Sequence, residues 1–363
     1  MHPPDPFVSV VNIDLAEYQV PVETTTVDVA VVGAGPCGLA AAIAAQRAGV
    51  SAVVFDRGCL VNGIASYPTY MSFFSTAERI AIGGVPFIVA TEKPTRRDAL
   101  AYYRGVADLY GIDVRQYERV ETMRAVRVDP RPGQPEPERA ARWLLQSVKR
   151  SGVVCETAAH AVVIATGYFG RPNLLGVPGE SLPHVRHGYV EGHSAWRESV
   201  VIVGGANSAV DAALDMYRAG ARVTMVHFAA SIDANVKPWV RPEIEARLRD
   251  GSIAACFESR VVAIEPDAVV VEGPAGTHRL PATQVYTMTG YLPETGLLEQ
   301  VGVPIDRDSG IPAHDPITMA TPLPGIYLAG VIASGNHANR IFIENGRDHG
   351  DAIVAHLQRA TLR

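Results

Sequence analysis

One nucleotide-binding pattern occurs twice in this chain of 363 residues. In each copy an apolar strand runs into a glycine-containing turn, a helix follows, and a second apolar strand ends at a polar residue. The first copy begins at Gly33 and reaches Asp56, and the second begins at Gly204 and reaches His227, with the same separation in both. A βαβ unit of this kind binds a dinucleotide at the carboxyl end of its strands. The sequence therefore predicts an α/β protein with two Rossmann-like dinucleotide-binding domains.

The first copy carries the complete pattern. Gly33 is expected to make the tight turn out of the strand, Gly35 to let the backbone approach a pyrophosphate, and Gly38 to let helix and strand pack. Pro36 stands at the start of the helix, whose N-terminus favours negative charge. Asp56 suits the ribose hydroxyls of an unphosphorylated adenosine, as in FAD. The alternative, a glycine-rich turn without a ligand, is disfavoured by the flanking strands and helix.

The second copy is less regular, because alanines occupy its second and third glycine positions. Gly204 keeps the tight turn, Gly205 adds backbone freedom, and Asn207 and Ser208 open the helix with residues that cap well. A purely structural αβ unit remains the alternative here. Together, the two copies indicate two nucleotides held at once. The natural pair is a flavin and a nicotinamide, so the sequence indicates an electron-transferring flavoenzyme.

The residue at the end of the second strand bears on the choice of nicotinamide. His227, unlike an acid, does not repel a 2′-phosphate, and the bases Lys237 and Arg241 follow it in the chain. A cation near this position is the usual way to accommodate that phosphate. We therefore expect NADPH in preference to NADH.

Composition excludes several other classes of protein. The formal net charge is −6 and the basic residues are scattered, which gives no indication of nucleic-acid binding. The sequence contains no apolar run of about 18 residues, so no membrane span is expected. The four cysteines are widely spaced without a CxxC motif, which fits a reducing cytoplasm and excludes a zinc ribbon or another metal site of that type. Residues 1–26 lack a secretory pattern and are interpreted as an N-terminal extension.

The remaining segments suggest how the two units are joined. A helix is expected over residues 95–110, and a proline-rich loop over 129–138 between strands 120–128 and 142–148. The FAD-binding domain is assigned to residues 27–190 and 289–363, and the NADPH-binding domain to residues 191–288. A closing strand at 325–330 should precede a helix over about 339–357. The aromatic segment between Asp56 and residue 94 could wall a flavin ring or simply form an irregular packed loop.

Several stretches resemble one family of flavoproteins. The order G-x-G-x-x-G, Ala-Thr-Gly, G-x-x-N-S-A and Gly-Ile-Tyr-Leu-Ala-Gly is similar to the thioredoxin reductase-like class. The runs VNGIASYPT (61–69), VKPW (236–239), MTGY (288–291) and IFIENGR (341–347) resemble the bacillithiol-disulfide reductase family. This resemblance implies two three-layer ββα domains, FAD and NADPH, and reduction of a low-molecular-weight thiol disulfide. We expect the FAD contacts to include further residues along the first domain: Asn62, Thr69, Val120, Thr166, Gly167, Gly330 and Val331.

Two departures separate the chain from thioredoxin reductase itself. The segment from His187 to His193, where that enzyme carries its redox CxxC, has no cysteine. Val331 stands where the wider class has an aspartate that binds the flavin ribityl chain. Both departures agree with the narrower family and exclude thioredoxin reductase chemistry.

Cys37 is the candidate redox residue. It lies in the first glycine loop at a helix N-terminus, where the helix dipole favours a thiolate. In the resembled family a cysteine at this position is the proposed redox residue, which could form a mixed disulfide with half of the substrate. The alternative is a small packing residue, since a nearby pyrophosphate would raise the thiol pKa and no second cysteine is close in sequence.

These observations favour an NADPH-dependent FAD disulfide reductase that acts on a small-molecule disulfide, in the cytoplasm, as a homo-oligomer (a dimer or tetramer). Two alternatives stay open. One is a ferredoxin- or flavodoxin-type NADPH reductase, which needs no cysteine. The other is a flavin-bound redox sensor without turnover, which would consume no NADPH with any acceptor.

Overall fold

The computed structural model describes residues 24–126 and 143–361. The predicted extension therefore lies outside the described residues up to position 23, and the predicted loop 129–138 lies outside them entirely. The strands, in chain order, are β1 (Thr24–Val32), β2 (Ala52–Asp56), β3 (Asp113–Gln116), β4 (Glu118–Ala125), β5 (Trp143–Lys149), β6 (Val154–Ile164), β7 (Arg171–Pro172), β8 (Val185–Arg186), β9 (Ser199–Val203), β10 (Arg222–Val226), β11 (Ala254–Cys256), β12 (Arg260–Ile264), β13 (Ala268–Gly273), β14 (Gly276–Pro281), β15 (Gln284–Thr287), β16 (Tyr291–Leu292) and β17 (Ile326–Leu328).

The α-helices are α1 (Pro36–Arg47), α2 (Asn62–Ala65), α3 (Ala77–Ile80), α4 (Arg96–Tyr110), α5 (Asn207–Arg218), α6 (Arg241–Arg249), α7 (Gly296–Gln300), α8 (Ile343–Gly346) and α9 (His349–Thr361). Two 3₁₀ helices span His193–Ala195 and Gly330–Ser334. The expected helix over 95–110 corresponds closely to α4, which a Thr95–Asp98 capping box begins and Gly111 ends in the left-handed conformation. The expected C-terminal helix is broken into α8 and α9.

The first domain is built on a parallel sheet. Strands β3, β2, β1 and β6 run side by side, and β17 joins β6 where its partner β5 has ended. The β1 register pairs Val32 with Phe55 and with Ile164, so the carboxyl ends of three strands meet at one edge. Because a parallel sheet is covered on both faces, its strands are continuous apolar runs. Helices α1 and α9 pack on each other, and the antiparallel meander β4–β5–β6 completes the three layers.

The second domain repeats this arrangement. Its parallel sheet has the order β11–β10–β9–β15–β8, and a three-stranded meander, β12–β13–β14, accompanies it. Alternate residues of β9 point to different cores: Val200 and Ile202 pack with α5, whereas Val201 and Val203 pack with the meander. This alternation follows from the two-residue period of a strand. The predicted pair of three-layer ββα domains is thus the observed architecture.

Two chain crossings join the domains. Strand β7, on the way out of the first domain, pairs antiparallel with β16 on the way back. Strand β8 already pairs with β15 in the second sheet, and Leu175, Val177 and Leu182 pack into the second core. The second sheet therefore already includes β8, which the sequence did not indicate because a two-residue strand leaves no periodic signal. At the other end, Thr24–Thr26 belong to β1 and not to an extension.

Candidate active site

The three glycines of the first loop have different surroundings. At Gly33 (φ +116°) a Cβ would lie 2.2 Å from the carbonyl oxygen of Ala165, and at Gly38 a Cβ would lie 1.9 Å from the carbonyl oxygen of Gly33. These two glycines let β1, α1 and the end of β6 approach one another. At Gly35, by contrast, a Cβ would meet nothing within 4 Å. The space above the N-terminus of α1 is open, as a bound pyrophosphate requires.

Asp56 ties this loop to the neighbouring strand. Its Oδ2 accepts a hydrogen bond from the Ala34 N–H at 2.9 Å, and its Oδ1 accepts one from the Gly58 N–H at 2.8 Å. Burial raises the pKa of Asp56, although these two hydrogen bonds act in the opposite direction. A carboxylate oxygen accepts more than one hydrogen bond, so the same group remains able to bind ribose hydroxyls. The residues present fit the adenosine half of FAD.

The other predicted FAD contacts reach the first loop from several elements. Asn62 begins α2, and its amide packs over Gly58, where a Cβ would lie 2.4 Å from its Cγ. The Thr69 N–H donates to the Val190 carbonyl at 2.8 Å, which ties this segment to the second domain's entry. Val120 is buried in the first core at a bulge in β4, so a nucleotide could contact it mainly through its backbone.

The remaining contacts follow the two parallel strands β6 and β17. Thr166 donates its hydroxyl to the Glu294 carbonyl at 3.2 Å, and Gly167 takes a positive φ of 75°. Gly330 and Val331 begin the 3₁₀ helix after β17. Since β17 runs parallel to β6, these residues emerge at the same sheet edge as Gly33. The structure therefore gathers these four residues near the first glycine loop.

Cys37 sits in a cradle made by two distant glycines. A Cβ at Gly330 would lie 3.0 Å from its Sγ, and a Cβ at Gly346 would lie 2.9 Å from it. Burial, with the nearby carboxylate of Asp348, raises the pKa of Cys37 to about 12. This direction is opposite to the expectation that the helix dipole would favour a thiolate, because desolvation outweighs the dipole. At neutral pH the group is a thiol.

The aromatic segment after Asp56 is mainly a packed loop, although Tyr67 lies near Cys37. Phe73 packs with Ile64 and Tyr103 in a core cluster of its own. The Tyr67 ring makes edge contacts with Phe73 and with Phe169, at centroid distances of 6.1 and 5.4 Å. Burial and the neighbouring Cys37 raise the pKa of Tyr67 to about 12, so its hydroxyl stays protonated.

The second glycine loop is shaped by its own protein neighbours. At Gly204 (φ +138°) a Cβ would lie 2.5 Å from the Met288 carbonyl oxygen, and at Gly205 it would lie 2.6 Å from the His227 ring. Asn207, at the start of α5, accepts a hydrogen bond from the Lys237 N–H at 2.9 Å. Ser208 is exposed in the first turn of the same helix. The loop ends at a helix N-terminus, which fits the pyrophosphate of a second dinucleotide.

The bases predicted to meet a 2′-phosphate already have partners. Lys237 Nζ lies 2.7 Å from the Asp211 carboxylate. Arg241 lies 3.0 Å from Glu245 and also donates to a backbone carbonyl. His227 is buried and its Nδ1 has no hydrogen-bond partner; burial lowers its pKa, so it is neutral. The geometry thus differs from the expectation that Lys237 and Arg241 are available for the phosphate.

A contact between the domains was not foreseen from the sequence. Phe74 of the first domain and Trp239 of the second have ring centroids 5.4 Å apart. Lys93 Nζ lies 4.0 Å from the centroid of Trp239 and 5.1 Å from that of Phe74. We call these three residues the interdomain clasp. Its only sequence signal was the aromatic character of both segments, which does not say that they meet.

All four cysteines are free, in accord with the absence of a CxxC motif. In residues 24–126 and 143–361, no group of three or more His, Cys, Asp or Glu side chains could hold a metal ion. Of the helices in that part of the chain, none has the length and apolar character needed to cross a bilayer.

Comparison with known proteins gives consistent matches. The family described as "Pyridine nucleotide-disulphide oxidoreductase" matches residues 30–128 and 148–330. The Bacilliredoxin reductase Bdr of Bacillus subtilis (strain 168) is 40% identical over 337 residues, which cover 91% of this chain and 97% of that protein.

Two solved structures extend the comparison. The Bacillithiol Disulfide Reductase Bdr from Bacillus cereus is 40% identical, has a TM-score of 0.86, and is matched over 93% of this chain and 100% of that one. The T. acidophilum thioredoxin reductase, at 21% identity, has a TM-score of 0.72 over 93% of this chain and 99% of its own. The latter likeness concerns the fold alone.

Proposed function

This chain belongs to the pyridine nucleotide-disulphide oxidoreductase family, together with the Bdr proteins, and we propose that it reduces a low-molecular-weight thiol disulfide, namely bacillithiol disulfide. Family membership confirms the predicted fold class, the oxidoreductase class and the cofactors FAD and NADPH. The ferredoxin-type and sensor alternatives are not favoured, because solved structures matched over nearly their whole length carry the name Bacillithiol Disulfide Reductase.

One observation carries the proposal. Two glycine loops lie at the carboxyl edges of two parallel sheets, and one thiol, that of Cys37, sits within the first loop. No CxxC motif places a second cysteine beside it in the sequence, and all four cysteines are free. This arrangement suits a substrate that is itself a disulfide.

The first domain would hold FAD through the Gly33–Gly38 loop, Asp56 and the segments after β6 and β17. When bound, FAD accepts a hydride from NADPH and makes two electrons available for a disulfide. The protein contributes the positions: Gly35 leaves space for the pyrophosphate, and Asp56 offers acceptors to the ribose. The second domain would hold NADPH at the Gly204–Ser208 turn.

We propose that Cys37 is the redox residue. Its sulfur would attack one sulfur of the substrate, forming a mixed disulfide and releasing the other half as a thiolate that takes up a proton. Two electrons and one proton originating from NADPH, with a second proton from solvent, would then cleave the mixed disulfide, restore the Cys37 thiol and release the second half of the substrate as a thiol. Because the thiolate is the nucleophile and the Cys37 pKa is about 12, deprotonation limits this route at neutral pH.

The pH profile of turnover tests this route. If the Cys37 thiolate attacks, kcat/KM for the disulfide should rise roughly tenfold per pH unit between about pH 6 and 9, since the thiolate fraction grows in that proportion below the pKa. If electrons leave the flavin without Cys37, the profile should be nearly flat over this interval. A flat profile would contradict the assignment of Cys37.

Substitution gives the second test. Purified protein should be yellow, lose its flavin colour with NADPH in the absence of oxygen, and oxidise NADPH continuously with bacillithiol disulfide. Cys37→Ser should keep FAD and its reduction by NADPH and should lose disulfide turnover, because a hydroxyl is a far weaker nucleophile. Wild-type turnover by this variant would make Cys37 a packing residue. Cys59→Ser, next to the same loop, is the matched control.

Three finer points belong to the same proposal. A bacilliredoxin acceptor, suggested by the name of one relative, should be assayed beside the small disulfide. The four free cysteines support action in a reducing cytoplasm. We also propose that the protein is a homo-oligomer, a dimer or tetramer, which light scattering would test.

A further inference from the structure

The two bases that follow β10 in the second domain already have carboxylate partners. Lys237 is paired with Asp211, and Arg241 with Glu245. If either cation turned to bind the phosphate, its carboxylate would lose its partner. That loss would offset part of the binding free energy gained from the phosphate. Another cation at the carboxyl edge of this sheet could bind the phosphate without breaking an ion pair.

Arg260 lies at that edge. The Ser259 N–H donates to the His227 carbonyl at 3.0 Å, which places the start of β12 directly beside the end of β10. The guanidinium of Arg260 lies 5.3 Å from the centroid of the Phe228 ring. Phe228 is 62% exposed, and its ring is 4.6 Å from that of His227. Arg260 is thus adjacent to the residues where the adenosine ribose binds in a βαβ unit.

Arg260 differs from the other bases near this edge in its partners. It faces Glu272 across the β12–β13 pair, but in the described part of the chain no carboxylate lies within ion-pair distance of its guanidinium, which lies over the Phe228 ring. The residue is exposed, so its guanidinium is accessible to a ligand. A guanidinium held over an aromatic ring keeps its edge donors available for bidentate bonds to a phosphate.

We propose that Arg260 is the residue that binds the 2′-phosphate of NADPH and so determines the preference for NADPH over NADH. This inference rests on the proposed function, since it assigns a subsite for the same reductant. Three acids lie nearby: Asp233, whose charge acts on His227, Glu258, which is exposed two positions before Arg260, and Glu272, which faces Arg260 across the β12–β13 pair. All three would repel the phosphate, so a cation at position 260 would offset them.

The test is calorimetric titration of the FAD-loaded protein with 2′,5′-ADP and with 5′-ADP, which differ by the 2′-phosphate. Arg260→Gln should weaken 2′,5′-ADP roughly 10-fold or more and leave 5′-ADP within about twofold. In stopped-flow reduction of the flavin, the apparent affinity for NADPH should fall by the same factor, and the apparent affinity for NADH should stay unchanged. Arg197→Gln is the matched control, because Arg197 also lies over an exposed ring, that of Trp196, and precedes β9 at the opposite edge.

Distinct outcomes separate the failures. The inference is overturned if Arg260→Gln binds 2′,5′-ADP as tightly as wild type while Lys237→Gln or Arg241→Gln binds it more weakly. The phosphate site would then lie at the end of β10. Equal weakening of both nucleotides by Arg260→Gln would give it a general role at the adenosine, which also overturns it. The wild-type protein could accept electrons from NADPH on its flavin and yet fail to reduce bacillithiol disulfide. That result would overturn the proposed acceptor and would not affect the assignment of Arg260.

Discussion

The two glycine loops occupy equivalent places in two similar domains, yet they are stabilised differently. In the first, Gly33 and Gly38 are required by contacts within the protein, and Gly35 faces open space. In the second, Gly204 is required by the Met288 carbonyl, whereas Gly205 is required by the His227 ring. Close backbone atoms thus require a glycine at Gly33, Gly38 and Gly204, whereas the open space at Gly35 is where a pyrophosphate would approach the backbone.

The residues at the strand ends make the contrast sharper. Asp56 accepts two backbone hydrogen bonds and so braces the first loop. His227 packs its ring on the second loop and leaves a buried nitrogen without a partner. The residue at the strand end therefore holds the first loop by hydrogen bonds and contacts the second loop by packing. We expect the first site to be the more rigid of the two, which suits a permanently bound FAD. The second site suits a nicotinamide that binds and dissociates in each turnover.

The largest effect should follow from a side chain at Gly33. Gly33→Val would place Cβ against the Ala165 carbonyl in a backbone conformation that favours glycine, so the first domain should fail to fold. The measurement is soluble yield and the far-ultraviolet circular dichroism spectrum. Gly63→Ala, where a Cβ meets nothing, is the control and should change stability by less than about 1 kcal/mol. A soluble yellow Gly33→Val protein would contradict the contact argument.

The next effect concerns ligand binding without loss of fold. Gly35→Val should leave a folded but colourless protein, because the new side chain enters the space of the pyrophosphate and not of the protein. Ala206→Val, at the equivalent position of the second loop, should weaken NADPH binding and leave FAD in place. Flavin content and a thermal melt measure both. If Gly35→Val kept stoichiometric FAD, the open space would not be the cofactor site.

A smaller effect is expected from substitutions of the two residues at the strand ends, Asp56 and His227. Asp56→Asn can accept only one of the two N–H bonds, so the apoprotein should lose about 1.5–3 kcal/mol of unfolding free energy. His227→Phe keeps a ring on Gly205 and removes the unpartnered nitrogen, so stability should stay constant or rise by up to about 1 kcal/mol. Urea unfolding of both apoproteins provides the values. Equal destabilisation by the two changes would erase the distinction between the loops.

The smallest effect is expected at the interdomain clasp. Lys93→Gln removes the cation from between the Phe74 and Trp239 rings, which should cost about 0.5–1 kcal/mol. Hydrogen exchange in the segments around both rings should become faster, while exchange in β1 and β9 stays unchanged. Lys149→Gln, away from the clasp, serves for comparison. No change in exchange around either ring would show that the clasp does not hold the domains together.

Much of the fold could be predicted because its signals are local. The strand–glycine–helix–strand runs indicated both domains, and apolar residues at helical spacing predicted α4. Strand β8 was missed, since it has two residues and its partner β15 is about 100 residues away in sequence. The pairing of Lys237 with Asp211 was missed for a related reason: their contact depends on how a loop folds back on α5.

By itself, the sequence determined the architecture, the two nucleotide loops and the absence of a dithiol motif, because turn chemistry and strand periodicity act over a few residues. Only the tertiary structure decided the state of the functional groups. Gly330 and Gly346 come from the far end of the chain to enclose the Cys37 thiol and raise its pKa. Likewise β12 brings Arg260 beside Phe228. Burial and charge pairing depend on distance in space, and that distance is set only when the sheets and helices have packed.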